Sequence, residues 1–173
     1  MNEFERWANF YLLTSASAGA LIGLLFVVIS LAAERKYSDA TRIPIYLTPT
    51  IIYFASVLFL AALLTIPTHT RLSATLCICL TGLAGLVYSG SFFIRRSVKK
   101  LYYNLNDLIV YAAIPFVAYG LGVWGGILFL YFPQRGLTLV AADMLLLLAV
   151  AIRNSWAIAT DVATSPPGQR DSR

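Results

Sequence analysis

The chain has 173 residues, of which 59% are apolar and 12% charged, with a net charge of +5. Soluble domains carry roughly 45–50% apolar residues with glycine counted, and roughly 25% charged ones, so a soluble enzyme domain, a disordered chain and a disulfide scaffold are all excluded. The composition is that of a membrane protein, and 13 Lys and Arg, 8 Asp and Glu and one His must supply nearly all its ionisable chemistry.

The charges are excluded from long blocks. None occurs in 7–33, 43–70, 72–94 or 108–134, and 136–152 holds only Asp143. A hydrocarbon core about 30 Å thick needs roughly 20 helical residues, because every backbone N–H and C=O must be satisfied inside the segment. The blocks predict an all-α polytopic transmembrane bundle of five helices, over about 11–33, 46–66, 72–94, 108–131 and 137–157. Residues 1–162 are then one transmembrane domain, and 163–173, with Pro166, Pro167 and Gly168, a polar cytoplasmic tail.

Before helix 1, Phe4, Trp7, Ala8 and Tyr11 recur at helical spacing, as in a short interfacial helix or a simple extension of the span. Glu3 and Glu5 stand where a cleaved signal would be basic, so helix 1 is expected to be a retained anchor. Ser15, Gly19 and Gly23 form a small-residue seam on it. Helix 2 carries Pro49 in its expected first turn, where proline costs little, and Pro67 ends it. His69 falls in the following loop. On helix 3, Cys77 and Cys79 point to nearly opposite faces and make no two-ligand clamp, so no metal is expected. Gly82, Gly85 and Ser89 make a second seam there.

Between helices 3 and 4, Arg95, Arg96, Lys99 and Lys100 form a basic cluster, with Val98, Leu101, Tyr102 and Leu105 at helical spacing. The segment is suited to an anionic lipid surface, or serves only to set topology. Asn106 or Asp107 is the expected cap of helix 4. Pro115, about two turns inside that helix, predicts a kink over 112–115. Ala118, Gly122 and Gly126 form the third seam.

With five crossings, one side of the membrane holds Arg35, Lys36, Arg42, Arg95, Arg96, Lys99, Lys100, Arg153, Arg170 and Arg173. The other holds Arg6, Arg71 and Arg135. The positive-inside rule places the N-terminus out and the C-terminus in. Topology accounts for the net positive charge, and no nucleic-acid partner is expected.

Asp143 is the only acid inside a predicted span, about six residues or roughly 9 Å below the start of helix 5. A carboxylate there costs at least about 2.5–3.5 kcal/mol on insertion scales, so it must be protonated, hydrogen-bonded or facing water. Donors at matching depth are Thr14 and Ser17 on helix 1, Thr75 on helix 3 and Trp124 on helix 4. Asp143 with Thr14, Ser17 and Trp124 is the candidate ligand or proton site, opening to the outer face. The alternative is a structural latch between helices 5 and 1. No phosphate loop, His-x-x-x-His, membrane serine-protease motif or paired acids occurs, so neither enzymatic activity nor a cofactor is expected.

The run from Thr14 to Ser30, TSASAGALIGLLFVVIS, resembles the first helix of small bacterial inner-membrane proteins of uncharacterised function. There, small residues lead into Gly-Leu-(Leu/Ile)-Phe-Val-x-(Val/Ile)-Ser. The resemblance implies a bacterial inner-membrane setting and assigns no catalytic residue. The expected function is helix-mediated interaction in the lipid bilayer, as a subunit, scaffold or regulator in a homo-oligomer or with another membrane protein. The alternative is a small transport or channel subunit functioning as an oligomer, with Asp143 lining a polar path at the oligomer axis.

Overall fold

A computed structural model describes residues 3–34, 43–67, 70–99 and 112–164. It consists of five helices: α1 (Glu3–Glu34), α2 (Ile43–Leu64), α3 (Arg71–Lys99), α4 (Ile114–Tyr131) and α5 (Pro133–Thr164). All five are long and apolar enough to cross a membrane. Hydroxyl side chains within them turn back on their own helix. Thr14 donates to the Phe10 carbonyl at 2.9 Å, Thr81 to Cys77 at 2.8 Å and Ser89 to Gly85 at 2.7 Å, which lets polar residues sit in an apolar medium.

The α4/α5 hairpin organises the bundle. A single residue, Phe132, joins the two helices, and its N–H donates to the Leu128 carbonyl. The helices then run so close that a Cβ on Gly136 would lie 2.6 Å from the Phe129 N and Cα atoms, and one on Gly125 would lie 2.9 Å from the Gly136 carbonyl oxygen. Pro133 opens α5, a position where its missing N–H has no intrahelical partner to lose. Helix 5 therefore starts four residues before the expected 137, and it runs on to Thr164. Arg135, which made this stretch look like a loop, lies over the Phe132 ring at 5.6 Å.

Helix α5 is the most enclosed of the five, and α1 the least. Helix α5 packs on α4, α2 and α1, while α3 packs mainly on α4. The core runs through Tyr11, Tyr53, Phe54, Val57, Tyr119, Phe129, Val140, Met144 and Leu147, among other residues. Large apolar side chains face outward on every helix, including Leu24, Phe59, Leu80, Val117 and Leu145, as a lipid environment requires. Exposed Tyr131 and Phe132 mark one end of the bundle and exposed Trp156 the other, in the manner of interfacial aromatic belts.

One proline stands elsewhere than expected: Pro49 is the seventh residue of α2, because the helix already begins at Ile43. Pro115 is the second residue of the α-helical stretch of α4, and Ala112 and Ala113 form a wider π-type turn just before that stretch. The expected start of helix 4 at 108 lies outside the described residues. The start of α3 is capped: the Ser73 N–H donates to Thr70 Oγ1 at 3.2 Å. The expected cap at Asn106 or Asp107, and His69, lie outside the described residues.

Candidate functional site

The small residues of α3 and α4 hold the bundle together and, at one point, admit a carboxylate. A Cβ on Gly82 would meet Val123, one on Gly126 would meet Ile78 and Cys79, and one on Gly85 would run into the Tyr119 ring. Thr75 Oγ1 donates to the Gly126 carbonyl at 3.3 Å across the same seam. Two of the three small-residue seams thus pack inside the bundle, as close approach without a hydrophobic driving force demands. On α1, Ser15 bonds back to Leu12, Gly19 touches the Leu58 side chain of α2, and Gly23 has nothing within 4 Å of a Cβ.

Gly122 is occupied differently. Asp143 of α5 presses against it, with Oδ2 2.6 Å from where a Cβ would stand. The aspartate is 2% exposed, and Oδ1 has no hydrogen-bond partner among the described residues. Because α5 begins at Pro133, Asp143 lies ten residues, about 15 Å, along the helix rather than the expected six.

Tyr119 stands one turn before Gly122 on α4, and the Asp143 carboxyl lies within its electrostatic reach. Its hydroxyl is 2.9 Å from Ser56 Oγ of α2. Ser56 uses its single hydrogen on the Ile52 carbonyl at 2.8 Å, so Tyr119 is the donor of the pair and keeps oxygen lone pairs to accept from another group. The Tyr119 ring also faces Tyr53 of α2 with centroids 6.4 Å apart.

The sequence-derived candidates separate. Asp143 is central. Thr14 is buried, but its hydroxyl is engaged by the Phe10 and Tyr11 carbonyls of its own helix. Ser17 is half-buried and makes no hydrogen bond to Asp143. Trp124 is 59% exposed, because it stands two residues, or about 200°, round the helix from Gly122. Arg95, Arg96 and Lys99 continue α3 to its end, but their side chains, like Lys100 altogether, lie outside the described residues.

Two further buried polar groups were not singled out from sequence. Asn154 is fully buried on α5, and neither its Nδ2 nor its Oδ1 has a partner among the described residues. It follows Asp143 by eleven residues, three helical turns, so the two share a face; that spacing was a readable signal. Tyr11 is fully buried with an unpartnered hydroxyl, its ring packed against Trp7 and Phe10. Each such group costs free energy unless a small polar species meets it, the more so in hydrocarbon.

The site is thus an intramembrane acid with a tyrosine–serine pair beside it, enclosed within one chain. No protein-family model, curated protein or solved structure matches this chain, so its chemistry rests on these residues.

Proposed function

We propose that this five-helix membrane protein is a transport or channel-type subunit in which Asp143 binds and releases a proton or small cation inside its own bundle. The observation that carries the reading is the position of the carboxyl: mid-span, enclosed, and with Oδ1 unpartnered among the described residues. Ionisable groups retained at that depth mark ion or proton pathways. The burial of Oδ1 inside its own bundle favours a site within one chain over one completed by a docked second copy. A latch to α1 is not supported either, because Thr14 is engaged by its own helix and Ser17 makes no bond to Asp143.

The distribution of Lys and Arg supports an N-out, C-in orientation, and the helix 1 resemblance supports a bacterial inner membrane. No catalytic role or cofactor is proposed. A second reading, helix-mediated interaction in a homo-oligomer or with another membrane protein, is favoured by the open face at Gly23 on α1.

The test is flux in proteoliposomes. With an entrapped pH indicator and an imposed diffusion potential, wild type is expected to dissipate the gradient and Asp143→Asn to abolish that dissipation. Equal tightness of the two to protons and to alkali cations contradicts the reading. Native mass analysis of the same preparation reports copy number for the second reading.

A further inference from the structure

The polar groups below Asp143 form a row rather than a scatter. On α2, Thr50, Tyr53 and Ser56 stand three residues apart, on one helix face. Ser56 meets the Tyr119 hydroxyl at 2.9 Å, and Tyr53 meets the Tyr119 ring. One turn further along α2, Leu47 packs with Ile158 and Val162, which lie one and two turns beyond Asn154 on α5. Antiparallel packing then brings Thr50, one turn from Leu47, to the height of Asn154. Thr50, Tyr53 and Asn154 are all fully buried.

The depth of Asn154 matters. With the exposed Tyr131 and Phe132 taken as the near boundary, Asn154, 21 residues or about 31 Å along α5 from Pro133, reaches the far edge of a 30 Å hydrocarbon core. Its neighbours Arg153 and Trp156 are exposed there, as befits a membrane–water boundary. Asp143 therefore sits at mid-membrane, and the row Tyr119, Ser56, Tyr53, Thr50, Asn154 spans the remaining half. Towards the other end the described buried hydroxyls are not joined to one another: Thr75 donates to the Gly126 carbonyl, Thr14 to carbonyls of its own helix, and the Tyr11 hydroxyl has no partner among the described residues, while Trp124 faces outward.

We infer that Asp143 exchanges its proton with the C-terminal end of the bundle, through a file of hydroxyls and water with Asn154 at its mouth. This rests on the reading of Asp143 as a proton or cation site, and gives that site its species and its side of access. A single carboxylate with hydroxyl neighbours suits a proton, whereas a bare divalent cation requires six or more oxygens. Each hydroxyl accepts a hydrogen on one lone pair and releases its own to the next group, so it is neutral before and after; Ser56 must first turn its hydrogen off the Ile52 carbonyl. Water bridges the longer steps. The carboxylate ends as the acid, and reversal of the chain returns the proton. The titratable side chains buried on the helices packed against α5 are Tyr119 on α4, Tyr53 on α2 and Tyr11 on α1, with Tyr88 of α3 acting on Tyr119. Among the described residues no buried Lys, Arg, His or second acid competes.

The experiment is hydrogen–deuterium exchange at the Asp143 carboxyl of the full chain in bilayers, read by infrared difference against Asp143→Asn. The expected result is exchange slowed about tenfold or more by Asn154→Leu and by Tyr53→Phe, with recovery in Asn154→Ser, which keeps a hydrogen-bonding group. Thr160→Val, on the exposed face of α5, is expected to leave the rate unchanged. If the carboxyl exchanges at wild-type rate in both Asn154→Leu and Tyr53→Phe, the path is wrong while the Asp143 site stands. If no acid band is seen at any pH the bilayer tolerates, the Asp143 site is wrong and the path with it. Should Asn154→Leu not fold, Tyr53→Phe and Asn154→Ser decide the matter between them.

Discussion

Gly122 and Asp143 meet across the α4/α5 seam so closely that a Cβ on the glycine would lie 2.6 Å from Oδ2 and 3.1 Å from Cγ. The atoms in the way are the far end of a side chain that can rotate, not backbone. Gly122→Ala is therefore expected to cost no more than about 1 kcal/mol of stability, the low end of overpacking, while re-aiming the carboxyl. Denaturation in mixed micelles measures the first effect and proteoliposome flux the second. Loss of flux with near-normal stability is the expected pattern.

The opposite balance holds at Gly136. Its Cβ would meet the backbone of Phe129 and the Gly125 carbonyl oxygen, neither of which can turn aside. Gly136→Ala is expected to destabilise by about 3 kcal/mol, at the upper end of overpacking costs, by forcing the hairpin apart. Gly23→Ala, with open space around it, is expected to stay within about 0.5 kcal/mol of wild type in the same unfolding assay.

The Tyr119–Ser56 bond links α4 to α2 and can be measured as a coupling. A double-mutant cycle of Tyr119→Phe and Ser56→Ala is expected to give about 0.6 kcal/mol and not more than about 1.7, the range of hydrogen bonds within membrane bundles. A coupling near zero would mean that the pair at 2.9 Å contributes nothing to docking.

Asn154 has both amide atoms buried without a partner among the described residues, so removing them should help the fold. Asn154→Leu is expected to raise stability by about 1–3 kcal/mol, the desolvation cost of unsatisfied polar atoms. Greater stability with impaired function is the usual mark of a residue kept for activity. Lower stability in Asn154→Leu, by chemical unfolding in micelles, would argue that the amide is bonded structurally.

Much of the fold was legible because lipid imposes a simple rule. Four blocks free of charge and a fifth holding only Asp143 give five helices, and the glycines of α3 and α4 announce where backbones approach. The start of helix 5 was harder: Pro133, Gln134 and Arg135 look like a loop, yet a one-residue joint turns them into the first helical turn. Counting depth along a sequence also ignores rotation. Trp124 was chosen for its depth, whereas its angle on α4 sends it outward and leaves Tyr119, one turn from Gly122, near the acid. Ser56 could not be paired with Tyr119 from sequence, since 63 residues separate them and only the packing of α2 on the hairpin brings them together.

Trp124 supplies a direct contrast with the buried row. At 59% exposure it faces outward, so Trp124→Leu is expected to change stability by less than about 0.5 kcal/mol and to leave flux intact. Loss of flux in this variant, measured in the same proteoliposomes, would restore it to the site.

The central claim is that Asp143 is a working acid inside a single bundle. Its most direct measurement is the infrared carboxyl band of wild type minus Asp143→Asn in lipid bilayers, followed across pH, with copy number determined on the same sample. The account predicts one acid band that converts reversibly to carboxylate, in the monomer as in any larger assembly. An Asp143 signal that does not change with pH, or that changes only when a second chain is present, would contradict it.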